Sequence, residues 1–158
     1  KGLKTFVELA RRLPDLDFAW FGPLDLSLKG RETTALIENA PDNCTFTDYI
    51  DDIRGAYAAG DIFCFPTHEE NEGIALLEAM AAGKPLLVRD IETFSWLADG
   101  KECLKVGDDG VDGFEAALER LRDPDLRARL GSNAADRSEA FSLEAVANQY
   151  QSVYEAVV

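Results

Sequence analysis

One stretch constrains this chain more than any other. It runs Thr67-His68-Glu69-Glu70-Asn71-Glu72-Gly73-Ile74-Ala75-Leu76-Leu77-Glu78-Ala79-Met80-Ala81-Ala82-Gly83-Lys84-Pro85. The apolar run Asp61-Ile62-Phe63-Cys64-Phe65-Pro66 precedes it and reads as a buried strand. A second apolar run, Leu86-Leu87-Val88, follows it. Between the two runs an acidic loop enters a helix at Gly73. Strand, polar loop, helix, strand is the unit that places ligands at the carboxyl ends of parallel strands. The helix start offers unbonded backbone N–H groups to an anion. Glu70 and Glu78 bracket that start, so an anion cradle is flanked by acceptors for hydroxyl groups. A nucleoside diphosphate sugar needs both.

The rest of the chain repeats the alternation. Leu3, Phe6, Val7 and Ala10 have helical spacing, and Pro14 ends that helix. Phe18-Ala19-Trp20-Phe21 reads as a strand stopped by Gly22-Pro23, with a polar, unpatterned stretch to Leu28. A helix is expected over 31–40, a turn at Pro41-Asp42-Asn43 and a strand over 44–47. Ile50, Ile53, Tyr57 and Ala58 mark a helix that ends near Gly60. Beyond the central stretch come a short helix from Glu92 to Ala98 and a strand over 103–106. Helices follow at about 111–122, 124–139 and 142–157. Leu126, Leu130, Asn133, Ala134 and Arg137 share one stripe. Ser142 is placed as the N-cap of the last helix, with Ala145, Val146, Gln149, Val153 and Tyr154 on its covered face.

This pattern predicts an α/β fold: a doubly wound, mainly parallel, Rossmann-like sheet with a helical C-terminus. A first strand normally precedes the first helix of such a sheet. This chain opens on a helix at Lys1-Gly2-Leu3, so its first strand is expected to be missing and the chain to be part of a longer protein.

Charge excludes some partners. Thirty acids against 16 bases give a net charge of −14. Nucleic-acid binding rests on neutralising phosphates with Lys and Arg, so no nucleic-acid partner is expected. The same charge disfavours this domain lying on an anionic membrane. An acid-rich surface fits a halophilic, salt-loaded cytosol, where screening removes self-repulsion; it fits equally an acidic surface of no special meaning. No run approaches the ~18 apolar residues of a membrane span. Cys44, Cys64 and Cys103 are far apart and His68 is the only histidine, so neither a zinc site nor a disulfide framework is indicated. A cytoplasmic location is expected.

The central segment resembles the retaining glycosyltransferases of GT-B fold. Their signature is Glu, seven residues, Glu, with glycine three after the first Glu and a small-residue turn and proline after the helix. Glu70, Gly73, Glu78, Gly83 and Pro85 stand in that register. The resemblance runs from Lys1-Gly2 through the Gly22 turn and Asp61 to Leu104–Gly107, and looks like the whole carboxyl-terminal, donor-binding domain, residues 1–158. Glycolipid synthases that glucosylate diacylglycerol share Glu-Glu-x-Glu-Gly-Ile followed by Arg-Asp-Ile, here Glu69 to Ile74 and Arg89-Asp90-Ile91.

The resemblance implies roles. Glu70 is the site's catalytic acid in the sense of bonding the sugar hydroxyls of the donor; it is not a covalent nucleophile. Glu78 bonds the ribose 2′- and 3′-hydroxyls, since a carboxylate accepts two O–H bonds from a vicinal diol. Gly73, Ile74 and Ala75 turn N–H groups to phosphate or sugar oxygens, and Lys1 touches the diphosphate. No metal and no cofactor is called for; the donor is a UDP-linked sugar. The acceptor, a lipid such as diacylglycerol or else a saccharide or protein glycan, belongs to a missing amino-terminal domain. The whole protein is then cytoplasmic or peripheral at the membrane, and this chain alone is inactive in transfer. Glu72, where many relatives have Phe, and Asp48, where Gly is common beside the base pocket, depart from the pattern.

Blander readings stand beside these. Glu69, Glu70 and Glu72 complement a helix dipole, worth roughly 0.3–1 kcal/mol each. Lys1 is a loose terminus. Arg89 and Asp90 either form a local ion pair or line the cleft. Trp20 and Trp96 read as packing, His68 as surface. A nucleotide-sugar-binding module without transfer, a GT-B phosphorylase or epimerase, and a receiver-like interaction domain are the rival functions.

Overall fold

The computed structural model describes residues 1–22, 30–107 and 110–157. Pro23 and the polar stretch to Leu28 lie outside the described residues. Helix α1 (Leu3–Arg12) buries Phe6, Val7, Leu9 and Ala10 on one face and ends on Arg11 and Arg12, whose charges complement the helix C-terminus. Strand β1 (Phe18–Trp20) is followed by α2 (Arg31–Glu38), β2 (Cys44–Phe46) and α3 (Ile53–Ala59). Then come β3 (Phe63–Phe65), α4 (Ile74–Ala81), β4 (Leu86–Arg89) and β5 (Cys103–Val106). The chain closes with α5 (Gly110–Arg120), α6 (Pro124–Ser138) and α7 (Leu143–Val157).

Every strand ladder among the described residues is parallel. β1 pairs with β2, with Phe18 opposite Cys44. A second sheet has the order β3-β4-β5, with Phe63 opposite Leu86 and Leu86 opposite Cys103. The centre of that sheet shows why the runs are apolar. Leu86, Leu87 and Val88 are all fully buried. Leu87 enters the core formed with α1, α5 and β5. Leu86 and Val88 face the other core, beneath α4 and α6. A strand covered by helices on both faces has no solvent face on which to alternate. The expected α/β architecture with a helical C-terminus is therefore present.

Three expectations change. Helix α3 starts at Ile53 rather than Ile50, because the Asp52 carboxylate accepts the Gly55 N–H at 2.9 Å and caps the helix there. The helix expected from Glu92 to Ala98 shrinks to one 3-10 turn, Glu92–Phe94. The Ala98 N–H is taken instead by the Glu102 carboxylate, at 2.9 Å. The last helix is capped as expected, Ser142 Oγ accepting from Ala145 N at 3.2 Å. Its covered face is not: no side chain of α7 is buried, and Val153 and Tyr154 are 60% and 70% exposed. The apolar stripe is real, but among the described residues only Ala145 and Val146 on it are even partly covered. No described helix is long and apolar enough to cross a membrane.

Helix α6 is capped by Asp123, whose side chain accepts from Asp125 N, with Pro124 at its first position. It lies so close to the turn after α4 that a Cβ on Gly131 would meet the Gly83 carbonyl oxygen at 2.2 Å. Gly131→Ala should therefore cost about 1–3 kcal/mol in a urea unfolding experiment, although alanine favours helices. A neutral or stabilising result would mean that α6 does not seat on Gly83.

Candidate functional site

The loop between β3 and α4 is held from below and from both sides. Pro66 and Thr67 are buried, and Thr67 Oγ1 donates to the Glu69 carbonyl at 2.9 Å. Arg89 Nε donates to the Pro66 carbonyl at 3.3 Å, and the Arg89 guanidinium lies 5.2 Å from the centroid of Phe114. Thr93 Oγ1 donates to the Glu70 carbonyl at 2.7 Å. Under the loop runs a row of rings. Tyr57 meets Phe63 at 6.0 Å, Phe63 meets Phe65 at 5.5 Å and Phe65 meets Phe94 at 6.0 Å between centroids.

Gly73 makes the transition into α4. Its φ of 83° is left-handed, and a Cβ there would stand 3.0 Å from the Phe94 ring, so both conformation and space call for glycine. The N–H groups of Gly73, Ile74 and Ala75 are taken by no hydrogen bond among the described residues; the first to close on Gly73 O are those of Leu76 and Leu77. Three donors stand unbonded at the positive end of a helix.

Lys1 comes to the same place from the other end of the chain. Gly2, buried with φ 82°, lies against Pro66, where a Cβ would reach the carbonyl oxygen at 2.2 Å. That contact sets Lys1 beside the loop, and its Nζ lies 2.5 Å from Glu70 Oε2. The other Glu70 oxygen accepts the Asn71 N–H at 3.0 Å. Glu70 is only 13% exposed, against 61% for Lys1. The hydrogen bond from Lys1 holds the Glu70 carboxyl below the usual carboxylate range. Lys1 is thus a placed cation rather than a loose terminus.

Lys1, Trp20, Phe65 and the residues from Glu70 to Ala75 line one cleft of about 440 Å³. Five of the six residues singled out in the sequence meet there: Lys1, Glu70, Gly73, Ile74 and Ala75. Glu78 stands outside its lining, exposed, one turn further along α4 on the face of Ile74 and Ala75. Its Oε2 accepts the Tyr57 hydroxyl at 2.8 Å. Trp20, read as packing, forms part of the cleft wall. Asp48 carries a left-handed φ of 61° and its carbonyl accepts the Gly22 N–H at 3.1 Å, so the backbone here takes a conformation that glycine favours. Arg89 and Asp90 do not pair: Asp90 binds Lys105 at 3.2 Å while Arg89 turns to Pro66 and Phe114. His68 is exposed, as expected.

The arrangement combines a cation, three unbonded N–H donors and a carboxylate at the carboxyl edge of a parallel sheet. It can hold an oxygen-rich anion and accept hydrogen bonds from hydroxyl groups on it.

The family model described as glycosyl transferases group 1 matches residues 1–123. Processive diacylglycerol alpha-glucosyltransferase of Acholeplasma laidlawii is 36% identical over 118 residues, which is 73% of this chain and 34% of that protein. Sucrose-phosphate synthase of Thermosynechococcus elongatus superposes with a TM-score of 0.88 at 27% identity, over 99% of this chain and 42% of that one. Anabaena HepE, solved in complex with UDP-glucose, superposes with a TM-score of 0.82 at 18% identity, over 100% of this chain and 46% of that one, a likeness of fold. The chain spans between a third and a half of the length of these relatives.

Proposed function

This chain belongs to the glycosyl transferases group 1 family, and from that premise we propose that it is the donor-binding domain of a retaining glycosyltransferase that takes a UDP-linked hexose. The observation that carries the reading is the meeting of Lys1 and Glu70 at the mouth of a cleft whose floor is the N-terminus of α4. In the transfer, the bond between the anomeric carbon and the diphosphate breaks, and negative charge grows on the leaving oxygen. The N–H groups of Gly73, Ile74 and Ala75 and the Lys1 ammonium are placed to stabilise that charge. Glu70 takes sugar hydroxyls, exchanging its bond to Lys1 as the diphosphate claims the ammonium. Glu78 takes the ribose diol. The glycolipid synthase relative points to a lipid acceptor, presented by a second domain across the cleft. Transfer then needs both domains, because orienting the acceptor supplies a large part of such catalysis.

Calorimetry with UDP and UDP-glucose tests the assignment of Glu70. In Glu70→Ala the affinity for UDP-glucose should fall by about five- to tenfold while that for UDP stays within about twofold, since only the sugar loses its acceptor. Equal losses for both ligands, or none, would remove Glu70 from the sugar subsite.

A further inference from the structure

Tyr57 is half-buried on α3, across from α4. Its ring packs on Phe63 at 6.0 Å. Its hydroxyl lies 2.8 Å from Glu78 Oε2 and 3.1 Å from the Ala75 carbonyl oxygen. One proton faces two acceptors, and the charged one takes the greater share. Glu78 is exposed and, on the second turn of a helix, would otherwise sample several rotamers. Bound through Oε2 it is held against the first turn of α4, and Oε1 makes no hydrogen bond among the described residues.

We propose that Tyr57 is a positioning residue for ribose recognition: its hydroxyl clamps Glu78 Oε2 so that Oε1 is presented to a vicinal diol of the nucleotide. The inference rests on the donor-binding reading of Glu78. It adds the group that orients that carboxylate, and a specificity for ribonucleotides over sugars lacking the diol. Burial and the Glu78 carboxylate both push the phenol above its ordinary range, so it remains a donor at any physiological pH. The ring rests on Phe63, the first of the aromatic row beneath the β3–α4 loop, and that contact sets where the hydroxyl lies. A water bound to a free Glu78 would hold no such direction.

The experiment is calorimetric titration of wild type, Tyr57→Phe, Glu78→Ala and the double variant with UDP and with 2′,3′-dideoxy-UDP. Tyr57→Phe keeps the ring on Phe63 and removes one oxygen; the melting temperature of each variant is measured alongside, and affinities are referred to the folded fraction. The expected loss of UDP affinity in Tyr57→Phe is about three- to tenfold. The same substitution should cost nothing with the dideoxy ligand, and nothing further in the Glu78→Ala background. A structural role alone would weaken both ligands alike and would add to Glu78→Ala. Equal losses for the two ligands, additivity in the double variant, or wild-type affinity in Tyr57→Phe would each overturn the proposal while leaving the donor site in place. Full UDP affinity in Glu78→Ala would instead overturn the reading on which the proposal stands.

Discussion

Phe94→Ala should destabilise the protein by about 3–5 kcal/mol, the largest loss expected from a single truncation near the site. Phe94 has no exposed surface, and its ring ends the aromatic row at Phe65. It also lies directly beneath Gly73, as the 3.0 Å approach to a Cβ there shows. Truncation leaves a cavity under the entry to α4, and the Gly73 backbone, already left-handed, has no side chain with which to fill it. The neighbours Leu76, Met80 and Val88 are fully buried and close-packed, which limits collapse. Urea unfolding should show a lower midpoint with an unchanged slope. Phe94→Leu, which keeps most of the volume, should cost about 1–1.5 kcal/mol. A loss below about 1 kcal/mol for Phe94→Ala would mean that the loop has no rigid floor.

The same comparison of residue and neighbour explains what could be read from the sequence. The strand–helix alternation was legible because each strand is a short apolar run, and β4 shows the reason in Leu86, Leu87 and Val88, covered on both faces. Ser142 was legible as a cap because capping is local. The α7 face was not, since amphipathic spacing shows which side would be buried but not whether anything covers it. Asp52 outcompeted the apolar spacing that placed the start of α3 at Ile50. At the site, Gly73 and the loop acids could be seen in a single stretch. The meeting of Lys1 and Glu70, 69 residues apart, could not come from periodicity; only the likeness to known sequences linked them. In the sequence Tyr57 is merely one member of an apolar helical face. Its hydroxyl finds Glu78, 21 residues further along the chain, a tertiary fact that leaves no local signal beyond a polar atom on an apolar stripe.

The central claim is that the N-terminal half of α4 binds a nucleoside diphosphate, with the ribose on Glu78. A carboxylate that accepts hydroxyl hydrogen bonds at a mostly open site contributes roughly 1.5–3 kcal/mol. Glu78→Ala should therefore weaken UDP about ten- to a hundredfold, each factor of ten being about 1.4 kcal/mol. Stability should hardly change, because Glu78 is exposed and Tyr57 keeps the Ala75 carbonyl as an acceptor. The most direct measurement is isothermal titration of UDP into wild type and Glu78→Ala at matched ionic strength. The account predicts saturable one-to-one binding to wild type and a loss of at least about tenfold in the variant. Equal affinity in the two proteins, or no heat of binding to wild type at millimolar UDP, would contradict it.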